Sequence, residues 1–137
     1  MDEKDFKRLF KAAAKARQNS YSPISGFKVG AAILTGTGHI YAGTNVEEAA
    51  FNLSIHSEQN AIGQMVAKEG WAPIKKLVVV GETIDGVICA PCGHCRQLCE
   101  EFNDAGIEIV VVNPEGVIQL ETTLGEIFPH AFHLKHN

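Results

Sequence analysis

A chain of 137 residues, 45% of them hydrophobic, is large enough to bury a core of its own and ordinary enough in composition to be globular. Its net charge of −4, from 12 basic and 16 acidic residues, includes no basic block, which argues against nucleic acid or an anionic membrane as a partner. The longest apolar runs, LVVV at 77–80 and IVVV at 109–112, are strand-sized and too short to span a bilayer. The charged opening MDEKDFKRLF predicts no export signal, and so a cytoplasmic protein.

In chain order, Phe6, Leu9, Phe10 and Ala13 recur at helical spacing between Lys7, Arg8 and Lys11, which predicts an amphipathic helix over 3–17. SYSPISG at 20–26 reads as a loop, and FKVGAAIL and HIYAGTNV as two strands joined in a hairpin at TGTG. That GTG lacks the third glycine of a phosphate loop, and no helix follows it. A second helix is expected from 56 to 69, with Ser54 as its N-cap, an apolar face of Ala61, Ile62, Met65 and Val66, and Gly70 as its stop. KKLVVVGE predicts a buried strand, GHCRQLCEEFNDAG a helix closed by Gly106, and IEIVVVN a further strand. EGVIQLETT is expected to hold a short fifth strand and TLGEIF a short last helix. Strand followed by helix, twice over, predicts parallel pairing towards the C-terminal end. The expected class is α/β, a single domain over 1–137 built as a three-layer α-β-α sandwich around one mixed sheet of about five strands.

All four cysteines fall within CAPCGHCRQLC at 89–99. Cysteines so close together cannot staple a fold, and without an export signal they read as metal ligands or catalytic thiols. The spacing C-x2-C-x2-C-x3-C is also that of a bacterial iron–sulfur run. Here, however, Glu100 stands where a proline would follow, and there is one such run only. Cys92 and Cys95, three apart at a helix start, place two sulfurs on one side of the first turn and supply two corners of a tetrahedral zinc site. His56, at the start of the other central helix, is the best third ligand. Three protein ligands and one open position are the pattern of a catalytic zinc. Glu58, two residues after His56, is free to face that open position. H-x-E together with P-C-x-x-C is the signature of zinc deaminases, whose glutamate moves protons and does not bind the metal.

At this point the chain resembles the cytidine deaminases over about residues 20–133. SPISGFKVGAAI is similar to the family's N-terminal strand motif and NVE at 45–47 to its ribose-binding motif. HSEQNAI and PCGHCRQ resemble its two zinc motifs, and TLGEIFPHAF its C-terminal signature. The resemblance implies that His56, Cys92 and Cys95 bind one Zn²⁺ per subunit and that Glu58 carries protons. It implies that Asn45 and Glu47 bond the sugar hydroxyls, that Phe27 packs beside the nucleoside, and that the backbone of Ser57, where the family has alanine, lines the pocket with little consequence. Phe51, where a tyrosine is common, and Phe132 would close the pocket of a neighbouring subunit. Taken singly, these aromatic residues read equally well as core. Short members commonly carry Cys-Ala-Glu-Arg where this chain has His-Ser-Glu-Gln. One imidazole and two thiolates leave Zn²⁺ without net charge, so an uncharged Gln59 suits the site, and Arg96 is expected to pair with a carboxylate or backbone group near the metal. Cys89 and Cys99 are then spare, Cys99 as a small core residue. His94, His130, His133 and His136 read as surface residues.

The implied reaction is hydrolytic deamination of cytidine and 2′-deoxycytidine to uridine and 2′-deoxyuridine, with release of ammonia, in pyrimidine salvage. The implied assembly is a homotetramer, with a dimer as second choice because the histidine ligand set is more usual in longer, dimeric members. The partner is a small-molecule nucleoside. Two other readings stand beside this one: a deaminase of another amino-heterocycle, such as a modified cytidine or an aminonucleoside antibiotic, and a non-catalytic zinc-binding module.

Overall fold

The computed structural model describes residues 1–134; His136 lies outside the described residues. Helix α1 spans Glu3–Gln18. Asp2 caps it, its carboxylate accepting the Asp5 N–H at 2.8 Å. Glu3 and Asp5 lie in the first turn and Lys15 and Arg17 in the last, the polarity a helix dipole favours. Strands β1 (Val29–Thr35) and β2 (Ile40–Thr44) form the expected hairpin. Helix α2 covers Ser57–Glu69, β3 Ile74–Gly81, α3 Gly93–Glu100, β4 Glu108–Val112, β5 Ile118–Thr123 and α4 Leu124–Ile127.

The strands lie in the order β2-β1-β3-β4-β5. Only β3 and β4 pair in parallel, joined by the α3 crossover; the other neighbours are antiparallel. Side chains alternate across a pleated strand, so the continuous valine runs divide between two layers. Val78, Val80, Val110 and Val112 pack with Ala32 against Leu9 and Ala13 of α1. Leu77, Val79, Ile109 and Val111 pack with Ala31 and Ile33 against Ala61, Ile62 and Met65 of α2, Cys99 of α3 and Leu124. This is the three-layer α-β-α arrangement around one mixed sheet. Gly43 sets how close α2 comes: a Cβ there would stand 2.4 Å from the Ala61 nitrogen.

Four boundaries differ from the sequence reading. Helix α3 stops at Glu100 and does not run to Gly106. The Phe102 side chain turns into the core, and its carbonyl accepts the Ile74 N–H at 2.9 Å, pulling the chain towards β3. Asn103 Oδ1 then accepts the Gly106 N–H at 2.8 Å, and Gly106 takes φ +104°, a turn that no continuing helix allows. The N-cap of α2 is His56, with φ −82° and ψ 155°, and not Ser54. Ile55 exchanges both backbone hydrogen bonds with Val46, at 2.8 and 2.9 Å, which keeps the chain extended until residue 56. Strand β1 starts at Val29 and β2 ends at Thr44, because the Asn45 side chain takes over the backbone groups at that corner.

Candidate active site

Two helix N-termini meet at the end of the sheet where β3 leaves it. The Val46–Ile55 bridge folds the β2–α2 connection back on itself, so Asn45 and Glu47 come to lie beside His56. The β3–α3 connection brings Cys89 and Cys92 to the same place. Gly81 permits this: a Cβ there would stand 2.5 Å from the Cys89 sulfur. In doubly wound and related sheets, ligands bind beyond the carboxyl ends of parallel strands, where connections diverge. This site sits beyond the carboxyl end of β3.

His56 Nδ1 lies 3.2 Å from Cys92 Sγ and 3.4 Å from Cys95 Sγ. Among the described residues these three form the one group of His, Cys, Asp and Glu donors gathered closely enough to hold a metal ion, all within 4.8 Å of one another. Tetrahedral zinc–nitrogen and zinc–sulfur bonds imply ligand separations of about 3.3–3.8 Å, so the donor set fits zinc in type and in spacing. Burial, followed by the nearby Glu58 carboxylate, pushes the Cys95 thiol well up from its ordinary value. A dication reverses that balance, because it binds thiolate.

Glu58 is 5% exposed, far below what an unpaired surface acid shows. Its Oε2 accepts from the Ser57 hydroxyl at 3.1 Å and from the Cys95 thiol at 3.3 Å. The carboxylate therefore faces the metal-ligand group from the buried side. Ser57 lines the pocket, and its hydroxyl also reaches the carboxylate. Its contact with Glu58 is legible only in three dimensions, since adjacent residues on a helix do not face each other by default.

A pocket of about 260 Å³ opens here, lined by His56, Ser57, Glu58 and Cys92 together with Phe27, Asn45 and Glu47. Glu47 Oε1 accepts the Ile24 and Ser25 N–H groups, both at 3.1 Å. The Ser25 side chain, then the backbone of Ser25 and Ile24, hold the Glu47 carboxyl below its ordinary value and so ionised at neutral pH. Asn45 Oδ1 accepts from Ser20 Oγ at 2.6 Å and Val29 N at 3.0 Å, while its Nδ2 donates to the Phe27 carbonyl at 2.8 Å.

The remaining candidates lie around this centre. Gln59 Oε1 accepts the His56 N–H at 3.2 Å and so fixes the start of α2. Arg96 donates to the carbonyls of Pro91 at 2.7 Å and Ile127 at 2.6 Å; its partners are backbone groups, and they tie the Cys92 loop to α4. Phe51 and Phe132 do not line the pocket of their own chain and are 68% and 67% exposed. Cys99 is buried in the core, as expected. Cys89 stands outside the metal-donor group, as expected, but it lines the pocket, as do Ser25, Val29, Ser54, Ile55 and Ala90. Most of these sit on connections without periodic pattern, so no spacing argument reaches them. Burial, and then the charge on Glu58, push the Cys89 thiol up to about 12, which keeps it neutral.

Comparison with known proteins agrees with this geometry. The family model "Cytidine and deoxycytidylate deaminase zinc-binding region" matches residues 3–113. A cytidine deaminase from Sporosarcina psychrophila is 38% identical over 93% of this chain and 91% of its own length. One from Halalkalibacterium halodurans is 37% identical over 93% of this chain and 94% of its own. The crystal structure of cytidine deaminase from Burkholderia pseudomallei superposes with a TM-score of 0.83 at 37% identity, covering 96% of this chain and all of that one. A five-stranded mixed sheet carrying a His-Cys-Cys donor set beside a buried glutamate defines a zinc-dependent deaminase. The chain belongs to the cytidine and deoxycytidylate deaminase family, and zinc is its metal.

Proposed function

We infer that this protein is a cytidine deaminase, a hydrolase that converts cytidine and 2′-deoxycytidine to uridine and 2′-deoxyuridine with release of ammonia. The observation that carries this reading is Glu58, a buried carboxylate set against a His56–Cys92–Cys95 donor group in the wall of a pocket of about 260 Å³. His56, Cys92 and Cys95 hold one Zn²⁺. Bound there, zinc supplies an activated water as the nucleophile for C4 of the pyrimidine. Glu58 would take one proton from that water and pass it to N3 of the ring, then take the proton of the hydroxyl added at C4 and deliver it to the departing amino group; a single buried carboxylate can serve as both base and acid in one cycle.

Asn45 and Glu47 hold the sugar and Phe27 packs beside the nucleoside. The Ser57 backbone lines the base end of the pocket. Gln59 and Arg96 keep the ligand-bearing helix starts in place. Pyrimidine salvage is the general role of such a reaction. No helix among the described residues is long and apolar enough to cross a membrane, and the reading places the enzyme in the cytoplasm, acting on free nucleosides as one catalytic domain over 1–137.

The assembly proposed is a homotetramer, a dimer being second choice, in which Phe51 and Phe132 complete the pockets of neighbouring subunits. Their exposure on an isolated chain, together with that of Leu53 and Leu134, supports burial of these side chains by other copies. Glu58→Gln tests the reaction: kcat should fall by roughly 10²–10⁴-fold at unchanged zinc content. Retention of the native rate would remove Glu58 as the proton carrier.

A further inference from the structure

The sugar end of the pocket has a donor and acceptor polarity that can be counted. An amide oxygen has two lone pairs and an amide nitrogen two N–H groups. Both lone pairs of Asn45 Oδ1 are taken, by the Ser20 hydroxyl at 2.6 Å and the Val29 N–H at 3.0 Å. One N–H of Nδ2 is taken by the Phe27 carbonyl at 2.8 Å. Thr44 Oγ1 stands 3.5 Å from Oδ1 but spends its proton on the Val29 carbonyl at 2.7 Å. One Asn45 N–H is left, on a side chain that lines the pocket next to the ionised Glu47. A single donor beside a carboxylate matches a hydroxyl, which accepts from the first and donates to the second.

We propose that Ser20, two residues past the end of α1 and outside the pocket lining, is a positioning residue for nucleoside recognition: its hydroxyl locks the Asn45 amide so that the remaining N–H meets a sugar hydroxyl. Val29 and Phe27 hold the amide from one side, by backbone. Ser20 is the side-chain partner that completes Oδ1, and its bond is the shortest of the three. Ser20 also stands 3.3 Å from Ser22 Oγ and 3.4 Å from the Asn45 carbonyl, weaker partners for its one proton. Without the hydroxyl, Oδ1 keeps one partner and the amide plane gains freedom to tilt. Binding of the sugar then weakens, while the bonds that hold Glu58, from Ser57 and Cys95, are untouched. The inference rests on the nucleoside reading of the site.

The test compares Ser20→Thr with Ser20→Val, two side chains of equal shape that differ in the hydroxyl, with Ser20→Ala alongside. KM for cytidine should rise about three- to tenfold in Ser20→Val and Ser20→Ala, the weight of one hydrogen bond, with kcat within twofold of the parent and Ser20→Thr close to normal. With 2′,3′-dideoxycytidine, which lacks the 2′- and 3′-hydroxyls that the Asn45 N–H and the Glu47 carboxylate would meet and keeps only the 5′-hydroxyl, parent and variants should be alike. Equal KM for cytidine in Ser20→Val and Ser20→Thr, or an equal loss on the dideoxy substrate, overturns the proposal and makes Ser20 a structural residue. Calorimetric binding of uridine and 2′,3′-dideoxyuridine reads the same difference without turnover. A parent protein that binds uridine but does not deaminate cytidine would sink the proposed reaction and leave the Ser20 comparison intact. A parent that binds neither nucleoside would overturn both.

Discussion

The Ser57 hydroxyl lies 3.1 Å from Oε2 of Glu58, and both side chains are buried. Ser57 is the first residue of α2 and stands next to the N-cap ligand His56. Its hydroxyl donates to a buried carboxylate that lines the pocket, and a donor held at a fixed place fixes the carboxylate as well. Ser57→Ala removes that donor and little volume. A hydrogen bond to a charged group is worth about 1.5–3 kcal/mol. On the proposed proton carrier this should appear as a loss of kcat of roughly ten- to hundredfold, with zinc content unchanged. Steady-state kinetics beside metal analysis checks it; a kcat within twofold of the parent would leave the hydroxyl without a part in the reaction.

The four cysteines divide into two pairs, and metal stoichiometry should follow the division. Cys92→Ala or Cys95→Ala removes a donor of the close group and should abolish zinc retention. Cys89→Ala and Cys99→Ala should keep one zinc per chain. Cys99→Ala should also cost about 1 kcal/mol of stability, as a small core truncation. Iron bound by purified protein, or zinc lost from the Cys89 and Cys99 variants, would revive the iron–sulfur alternative.

Arg96 bonds two carbonyls from separate elements, Pro91 before the Cys92 turn and Ile127 of α4. A lysine cannot span both, since it lacks the planar fork. Arg96→Lys should lower stability by about 1–3 kcal/mol, measured by urea denaturation, and speed zinc release to a chelator. Unchanged release would confine Arg96 to holding α4.

Much of this architecture is legible in the residues alone, and the failures are informative. The helical spacing of Phe6, Leu9, Phe10 and Ala13 locates α1, and the valine runs locate β3 and β4, because burial imposes a period that the residues must follow. The ends of elements obey other rules. Glu100–Phe102 continues an acceptable helical pattern, yet Phe102 is buried by leaving the helix. His56 is an unusual N-cap, placed there by its extended neighbour Ile55 and not by its own preference. Likewise the donor set His56, Cys92 and Cys95 is carried by residue type and motif, while Cys89 and the Ser57–Glu58 contact depend on which loop meets which wall.

A second titrating group lies far from this site and makes a separate prediction. At the hairpin turn, Glu69 of α2 accepts from Tyr41 and, at 2.7 and 2.8 Å, from Thr37 Oγ1 and His39 Nδ1. The Tyr41 hydroxyl, then Thr37 and His39, hold the Glu69 carboxyl below its ordinary value. The same contact, led by the bond to Glu69, raises the Tyr41 hydroxyl to about 12. A depressed carboxyl adds stability above its unfolded value of 4.5, and that stability disappears as pH falls through the folded value. A raised tyrosine adds stability below its unfolded value of 10.0, lost as pH rises through about 12. The melting temperature of Glu69→Gln should therefore decline less steeply than the parent's at acid pH. Ultraviolet titration should show a tyrosine ionising near 12 in the parent and not in Tyr41→Phe. Parallel acid limbs for parent and Glu69→Gln would mean that the hairpin cluster is not coupled to folding.

The most direct measurement is turnover of cytidine and 2′-deoxycytidine by the purified, zinc-loaded protein, followed by ultraviolet absorbance and by ammonia release. Conversion to uridine and 2′-deoxyuridine with one ammonia per nucleoside, abolished by a zinc chelator and restored by Zn²⁺, is the expected result. No conversion of either nucleoside by protein whose zinc content has been confirmed would contradict it, and would turn the same fold and metal site towards another aminated base.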